Sequence, residues 1–321
     1  MTSADHRSEC GVAVLGAAHI HLGDLARVLR SQPRVRVVSV WDDDAASAER
    51  WAGVLEARLF GDLEAALEAD GLRGALVYGR TSRHRPVVTA VAERGLAVFV
   101  EKPLAASSAD VTAISQTLGN GALFSTGFFL RYADAFMGLR DAVATGACGR
   151  VDRAAVRVVH GGLDAGWFDG ECAWMREPAE GGGGFFDLVV HGLDLVSWVL
   201  GPIEGIIAMR AHGSGHHGTA TVRTAAGALV DLEAGWEAPA AVIEMTVTGT
   251  AATLVARGGR LLDGSTIVAS GQPPDAGAAP NAWLNALVGQ PHQPLVTLAD
   301  AVTCTRTSIE LRHHPRASGL R

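Results

Sequence analysis

The first part of the chain alternates short apolar segments with amphipathic ones whose apolar residues recur at helical spacing. Strands are predicted over 11–15, 34–41, 58–60, 74–78, 97–100 and 123–126, and helices over 22–31, 45–54, 63–69, 86–94 and 109–118. Repeated strand–helix units of this length build a parallel sheet with helices on both faces. Residues 1–127 are therefore predicted to form a doubly wound α/β domain.

The pattern changes after about residue 128. Apolar segments from 203 to 255 follow one another with only short turns between them, as in antiparallel sheets. A strand over 151–159 and helices over about 135–145, 186–200, 281–288 and 298–312 complete the prediction. Residues 128–321 are predicted to be an α+β domain, a largely antiparallel, open-faced sheet with helices on one face. We expect a second copy of the chain to cover the open face.

Composition argues against several classes of protein. Basic residues number 27 and acidic residues 34, for a net charge of −7, whereas proteins that bind nucleic acid or anionic membranes usually carry a basic excess. No apolar stretch approaches the roughly 18 residues that span a bilayer, and the polar N-terminus indicates no signal peptide. The four cysteines lie far apart without a CxxC pair, so we expect reduced thiols in a cytoplasmic protein.

Lys102 stands apart from the other basic residues. It is the only lysine beside 26 arginines, and a site that needs a compact ammonium cannot accept the planar guanidinium instead. By itself, one surviving lysine is equally compatible with chance. Its position favours a site, because the segment Glu101–Pro103 directly follows a predicted strand.

Other candidate residues also follow predicted strands. The turn Gly16–His21 opens a helix, as phosphate-binding turns do, with Ala18 and His21 where the second and third glycines are usual. Asp42, which ends the second strand, can accept hydrogen bonds from both hydroxyls of an adenosine ribose. The predicted dinucleotide site comprises Gly16, Ala18, His19, Ile20, Asp42, Thr81, His84, Glu101 and Lys102.

The carboxylates after the second strand bear on the choice of cofactor. Asp43 and Asp44 follow Asp42 directly, and no arginine follows to offset them. A 2′-phosphate would meet like charges here, so NAD is favoured over NADP. For Asp44, and to a lesser extent Asp43, an acidic N-terminus of the next helix is an alternative explanation.

Four glycines, 181–184, precede the predicted helix 186–200. Asp187, His191 and Asp194 recur at spacings of four and three, so one face of this helix presents two carboxylates and an imidazole. A lone histidine on an apolar helix is usually a core residue, but the flanking acids and the glycines favour a site. His191 can accept a proton, Lys102 can stabilise a developing alkoxide, and Asp187 can orient the imidazole or bind a hydroxyl.

The motifs together resemble a known family. The turn at Gly16, Asp42, TSRHRP, EKPLA, FLRY and GGGGFFDLVVHGLD occur in the order and spacing of the glucose–fructose oxidoreductase / inositol dehydrogenase / rhizopine-catabolism (Gfo/Idh/MocA) family, over essentially the whole chain. The resemblance implies an NAD-binding Rossmann domain, a second domain for substrate and oligomerisation, and homodimers or homotetramers. It also implies catalysis by Lys102, Asp187 and His191. Ala18 and Val189 depart from glycines common in the family.

The resemblance implies that the loop before the glycines lines a substrate pocket. Trp167 and Trp174 in this loop could stack on a sugar ring, although packing explains both tryptophans equally well. Arg131 and Arg176 could meet a phosphate or carboxylate. The candidate substrate-binding residues are Arg131, Trp174, Arg176, Asp187 and His191.

No metal site is predicted. The histidines at 212, 216 and 217 lie in a Gly-rich hairpin without cysteines or paired acids, and we interpret them as a solvated loop rather than as metal ligands.

The predicted function is hydride transfer between a nicotinamide and a hydroxyl or keto carbon of a sugar, cyclitol or nucleotide-linked sugar, with NAD as cofactor. Two alternatives from other classes are an NAD-dependent glycosidase that oxidises its substrate transiently and a non-catalytic regulator that binds dinucleotide. The sequence determines neither the substrate nor the physiological direction.

Overall fold

A computed structural model describes residues 9–119, 121–212 and 214–314. Residues 1–8, which include most of the segment on which the expectation of no signal peptide rests, lie outside the described residues. The first predicted domain is therefore described from residue 9, and the second only as far as residue 314.

A five-stranded parallel sheet forms the first part of the fold, in the strand order β2-β1-β3-β4-β5. Its strands are Cys10–Leu15 (β1), Val35–Trp41 (β2), Leu72–Val77 (β3), Ala97–Val100 (β4) and Phe124–Thr126 (β5). The predicted strand at 58–60 is reduced to one bridge between Leu59 and Val40. It cannot extend, because Asp62 already caps the next helix.

Helices alternate with these strands, as predicted. They are Leu22–Arg30 (α1), Ala45–Val54 (α2), Leu63–Leu67 (α3), His84–Glu93 (α4) and Ser108–Leu118 (α5). Asp44 caps α2 by accepting a hydrogen bond from the amide of Ser47 at 2.9 Å, which is the structural role the sequence allowed for it. The doubly wound Rossmann architecture is confirmed.

The second sheet has eight strands in the order β13-β12-β11-β10-β6-β9-β8-β7. They are Val151–Val159 (β6), Ile203–His212 (β7), His217–Thr224 (β8), Leu229–Gly235 (β9), Val242–Gly249 (β10), Thr253–Arg257 (β11), Arg260–Asp263 (β12) and Thr266–Ser270 (β13). Only the central pair β6 and β9 is parallel, so the largely antiparallel prediction is confirmed. The strands β12 and β13 were not predicted, and every residue of β13 is exposed, so no burial pattern marks it.

In the described residues of the second part of the chain, the α-helices are Asp134–Ala144 (α6), Gly184–Leu200 (α7), Ala278–Leu287 (α8) and Leu298–His313 (α9). The helix α7 packs against β9 and β6, and α6 packs against β11 and β12. In contrast, α8 packs against α1, β4 and β5, and α9 packs against α5 as well as α7. Trp283 of α8 stacks edge-on against Phe99 of β4, with ring centroids 6.1 Å apart. The domain division at residues 127 and 128 stays a prediction, and these two helices tie the later segment to the first sheet.

The expectation that no apolar stretch approaches the length of a membrane span is wrong for one helical stretch. Pro178–Leu200 has the length and composition of a membrane span, but 83% of its most apolar window is buried inside the protein. Val189, where the family commonly has glycine, lies in the hydrophobic core that this stretch forms with the second sheet. The stretch is therefore the core helix of the second part of the fold.

The face of the second sheet away from α7 is less apolar than expected. Leu229 is exposed there, but charged side chains pair across neighbouring strands. Arg157 contacts Glu233 at 2.6 Å, and Arg153 contacts Asp231 at 3.3 Å. A partner on this face would therefore meet polar groups as well as Leu229.

Candidate active site

Two cavities lie at the carboxyl ends of the parallel strands. The strand-end cavity, of about 300 Å³, is lined by Leu15, Gly16, Trp41, Asp42, Asp43, Leu63, Val77, Gly79, Arg80, Arg83, His84, Pro86 and Val87. The interdomain cavity, of about 540 Å³, is lined by Ile20, His21, Asp24, Lys102, Phe129, Val158, Val159, His160, Trp167, Phe168, Asp187, Leu188, His191, Ala241, Ile243 and Ala276. The turn after β1 contributes to both cavities, as expected for a ligand site at this sheet edge.

The turn after β1 is built around Gly16. Its φ is +79°, and a Cβ there would lie 2.3 Å from the Cα of Gly79, so only glycine fits. Ala18 is buried, and its carbonyl accepts a hydrogen bond from the indole of Trp174 at 2.6 Å. This hydrogen bond therefore fixes the turn to the loop that precedes glycines 181–184.

His19 is buried in this turn, and burial lowers its pKa to about 3, so the ring is neutral. Its Nδ1 accepts a hydrogen bond from the amide of His21 at 3.2 Å, which leaves the proton on Nε2. That atom has no hydrogen-bond partner in the described part of the chain. His19 thus leaves a buried donor without a partner in the turn after β1.

Asp42 lies in the strand-end cavity and accepts hydrogen bonds from the amides of Ala17 and, at 2.7 Å, Asp44. Burial raises its pKa to about 6. Arg80 and Arg83 line the same cavity, and the Nε of Arg83 lies 3.7 Å from an oxygen of Asp43. The sequence argument that no arginine offsets these carboxylates is wrong, because the end of β3 brings two of them to the end of β2.

These features fit a dinucleotide. The glycine at the turn, the unpartnered donor on His19 and the carboxylate of Asp42 are of the types that bind pyrophosphate and ribose. His84 contacts backbone carbonyl groups at the strand ends that form this site. Its ring nitrogens lie 3.1 to 3.2 Å from the carbonyl oxygens of Gly79, Pro103 and Leu104 and so join the ends of β3 and β4.

Glu101 and Lys102 follow β4 and are both buried. One oxygen of Glu101 lies 3.2 Å from Nδ1 of His21, and the other accepts from the amide of Lys102 at 3.1 Å. Burial alone would raise the pKa of Glu101, but the imidazole of His21 holds it well below its usual range. Glu101 is therefore an anion that braces the turn after β1 against the end of β4.

Lys102 reaches the N-terminal end of α7. Its Nζ lies 2.5 Å from Oδ1 of Asp187 and 3.4 Å from the Asp187 carbonyl oxygen. Burial would raise the pKa of Asp187, but the charge and hydrogen bond of Lys102 keep it below its ordinary value. The other carboxylate oxygen accepts from the indole of Trp236 at 3.3 Å. Among the described residues, Asp187 therefore orients Lys102 rather than the imidazole, which corrects the first of the two roles expected for it; the second, binding of a hydroxyl, stays a prediction.

His191 lies one turn after Asp187 and lines the same cavity. Burial and the nearby charge of Lys102 hold its pKa well below the ordinary value, so the ring is neutral. Its neighbours are aromatic, with Phe129 at 5.0 Å between ring centroids. A neutral imidazole beside a cavity can accept a proton from a ligand.

Comparison with protein families decides what this arrangement belongs to. A model described as an oxidoreductase family with an NAD-binding Rossmann fold matches residues 10–125, and the GFO/IDH/MocA C-terminal domain matches residues 136–255. The chain belongs to the Gfo/Idh/MocA family. The resemblance noted in the sequence is confirmed, and with it NAD as the cofactor.

Individual members of the Gfo/Idh/MocA family are more distant. An inositol 2-dehydrogenase of Streptomyces avermitilis is 29% identical over 235 residues, covering 70% of this chain but 65% of the relative, just under two thirds of its length. Solved structures with the same fold include GenD2 from gentamicin A biosynthesis in complex with NAD, at 22% identity and a TM-score of 0.80 over 100% of this chain and 97% of that one. Another is the WlbA dehydrogenase from Bordetella pertussis in complex with NADH and UDP-GlcNAcA, at 18% identity and 0.79 over 95% of each chain.

Not every predicted site residue of this Gfo/Idh/MocA protein reaches a cavity. Arg131 is held between Asp194, at 2.6 Å, and Asp300, at 3.2 Å. Arg176 pairs with Asp169 at 2.5 Å in the loop. Trp174 is buried over the turn, and Thr81 packs against Gly181. These four line neither cavity, because each is already engaged by a neighbour, which for Arg176 lies in its own loop and for the other three in a distant segment. Among the other predicted site residues, Ala18, His19 and Glu101 also line neither cavity.

Other lining residues were missed by the sequence analysis. His21, Phe129, His160 and Phe168 line the interdomain cavity but were not assigned to the substrate site. His160 directly follows β6, and a polar residue at the end of a strand was the available signal. The others come together only through the packing of the two sheets.

The prediction of no metal site stays a prediction. In the described residues, His19, His21 and Glu101 bring potential ligand atoms within 4.8 Å of one another. The hydrogen bonds described above account for their proximity without an ion. Of the hairpin histidines, His216 stacks on Trp236 with ring centroids 5.4 Å apart, and His217 lies 3.3 Å from Glu233.

Proposed function

We propose that the protein is an NAD-dependent oxidoreductase acting on CH–OH groups, which transfers a hydride between the nicotinamide and a hydroxyl or keto carbon of a sugar, cyclitol or nucleotide-linked sugar. The observation that carries this proposal is the meeting of Lys102, Asp187 and His191 in one cavity beside the turn at Gly16. Relatives named inositol 2-dehydrogenase and 1,5-anhydro-D-fructose reductase support the same chemistry.

Each of these side chains has a distinct role in alcohol oxidation. When bound, the nicotinamide supplies the hydride acceptor. Two of the three N–H donors of Lys102 are used by Asp187, and the third is free to hydrogen-bond the reacting oxygen and stabilise the developing alkoxide. The neutral ring of His191 accepts the hydroxyl proton. In the reductive direction the same groups return that proton.

The proposal includes the localisation and the oligomeric state of the protein. A cytoplasmic homodimer or homotetramer agrees with the separated cysteines and with the exposed face of the second sheet, which carries Leu229 beside its ion pairs. A non-catalytic regulator has no need for a buried lysine–carboxylate pair beside a neutral histidine, so the assembled site favours the enzyme.

The test is a screen of cyclitols, sugars and nucleotide sugars with NAD, following NADH absorbance. We expect turnover of at least one polyol, and a loss of roughly two to four orders of magnitude in kcat for His191→Ala. Calorimetry should give unchanged NAD binding in that variant. Full activity of His191→Ala would remove this residue from the mechanism. Release of a phenol from a nitrophenyl glycoside without NADH would select the glycosidase instead.

A further inference from the structure

The walls of the interdomain cavity differ in chemistry. The polar groups that can bind a hydroxyl come from the strand ends of the first sheet, from α1 and from α7, namely His21, Lys102, Asp24, Asp187 and His191. The remaining wall, formed by the end of β6, the start of β10 and the loop between 161 and 168, is mainly apolar: Val158, Val159, Trp167, Phe168, Ala241 and Ile243.

This apolar wall is continuous. The strands β6 and β10 are paired, with Val158 opposite Ile243. His160 continues β6, and Trp167 and Phe168 contact it with ring centroids 4.9 and 6.1 Å away. The Nδ1 of His160 accepts from the amide of Gly162 at 3.0 Å, so that atom is already engaged by the protein. The proton of this neutral ring is then on Nε2, so His160 offers one hydroxyl-binding donor on a wall that is otherwise mainly apolar.

Trp167 gives the wall a specific role. It is 49% exposed, whereas Phe168 beside it is buried and stacked on Trp236 at 3.7 Å. A large aromatic ring that is half exposed at the edge of a cavity is available to cover an apolar ligand surface. Trp167 therefore differs from the buried aromatic residues that shape the core beneath it.

A bare polyol fits such a cavity poorly. Its hydroxyls surround the ring, and most of those against this wall, where His160 offers a single imidazole donor, would lose water without gaining partners, which is unfavourable. A ring with hydroxyls on one side and an apolar group on the other would satisfy both walls.

We propose that the substrate is a hydroxylated ring that carries an apolar substituent, aryl or alkyl, and that Trp167 covers this substituent. The inference rests on the proposed function, because the hydroxylated ring is oriented by Lys102 and His191. It narrows the substrate from polyols in general to glycosides or ethers of polyols with an apolar group.

The experiment compares matched pairs of substrates on the full-length protein with NAD. Methyl and phenyl glycosides of glucose, galactose and mannose, together with myo-inositol, are assayed by NADH formation, and cyclohexyl glycosides separate burial from aromatic stacking. We expect kcat/KM for at least one phenyl glycoside to exceed that of its methyl counterpart at least tenfold. Equal values within every active pair, or highest activity with myo-inositol, would overturn the inference while leaving the proposed function intact.

Variants locate the preference. Trp167→Ala should reduce the phenyl-to-methyl ratio of kcat/KM to about threefold or less, and Trp167→Phe should restore most of that ratio. Ile207→Ala is the matched control, since Ile207 is equally exposed at 49% but lies on β7 outside the cavity lining. A ratio unchanged in Trp167→Ala would remove Trp167 from the substrate site.

A separate measurement distinguishes failure of the proposed function from failure of the inference about the apolar substituent. If no compound yields NADH, calorimetry of the NAD-loaded protein with the same methyl and phenyl pairs measures the preference directly. Tighter binding of a phenyl glycoside, lost in Trp167→Ala, would support the apolar subsite and reject only the oxidoreductase. Equal or undetectable binding of both would overturn the inference.

Discussion

Two carboxylates on α7 meet different cations. Asp187, in its first turn, pairs with Lys102 at 2.5 Å, and Asp194, two turns later, pairs with Arg131 through Nη2 at 2.6 Å and Nε at 3.0 Å. Both carboxylates are buried. Only the first pair lines the interdomain cavity, so one helix carries a pair open to a ligand and a pair closed within the protein.

The difference lies in how the donors are used. Arg131 spreads its planar fork between Asp194 and Asp300 and has further contact with the ring of Trp198, 5.7 Å away. Among the described residues, the ammonium of Lys102 has only Asp187 as a carboxylate partner, and it retains one donor for the cavity. Burial raises the pKa of Asp194 to about 6, whereas Lys102 keeps that of Asp187 below its usual value. A buried ion pair is therefore not evidence of a site unless a donor remains free.

Exchanging the two cation types should give the greatest difference in activity between the two ion pairs. We expect Lys102→Arg to lower kcat/KM by about three orders of magnitude, because a guanidinium cannot occupy the space of the ammonium and donate at the same point. Arg131→Lys should lower activity less than threefold, although it loses the bidentate contact. Both variants are assayed by NADH formation and by melting temperature. Comparable activity losses would show that the two pairs are not functionally different.

Removing the carboxylate charges gives the next largest effect. Asp187→Asn should reduce kcat about a hundredfold, because Lys102 loses its anion and its fixed position. Asp194→Asn should instead lower the free energy of unfolding by about 3 kcal/mol, with kcat within threefold of the wild type, since Arg131 keeps Asp300. Urea unfolding and steady-state kinetics measure the two effects. A catalytic loss in Asp194→Asn at full folding would contradict the division.

The sequence could predict the features of the site that depend on neighbouring residues, but not those that depend on contacts between distant segments. The helix face with Asp187, His191 and Asp194 is a local property, and spacing alone predicted it. The pairing of each carboxylate is not local, because Lys102 and Arg131 come from distant segments. Arg131 was therefore assigned to the substrate, although Asp194 and Asp300 hold it.

The predicted dinucleotide site shows the same division between local and distant contacts. Asp42 and the turn at Gly16 were identified because strand ends meet at one sheet edge. The positions of Arg80 and Arg83 beside Asp42 depend on the order of strands in the sheet, in which β1 lies between β2 and β3. The missed strand β13 is exposed on both faces and has no burial pattern to reveal it.

Trp236 hydrogen-bonds to the carboxylate of the Lys102–Asp187 pair. Its indole donates to Asp187 at 3.3 Å, and its ring stacks on Phe168. Trp236→Phe keeps the stacking and removes the donor, so kcat should fall about five- to tenfold with KM and NAD affinity unchanged. Trp283→Phe is the control, as Trp283 is equally buried but its Nε1 has no partner among the described residues. Equal losses in both variants, or a change in KM alone, would argue against positioning of Asp187.

The smallest effect concerns pH. In the proposed mechanism neutral His191 accepts the proton, so activity should fall as pH drops through its pKa, and burial together with Lys102 moves that pKa well below 6.5. At saturating NAD, kcat/KM for oxidation should change less than twofold between about pH 7.5 and 6, whereas a histidine of ordinary pKa would give about a fourfold loss. Because the charge of Asp187 raises the pKa of His191, Asp187→Asn should shift the acidic limb to still lower pH, and Asp194→Asn should leave it unchanged. A limb near pH 6.5 that moves equally in both variants would show that His191 does not distinguish the two carboxylates of α7.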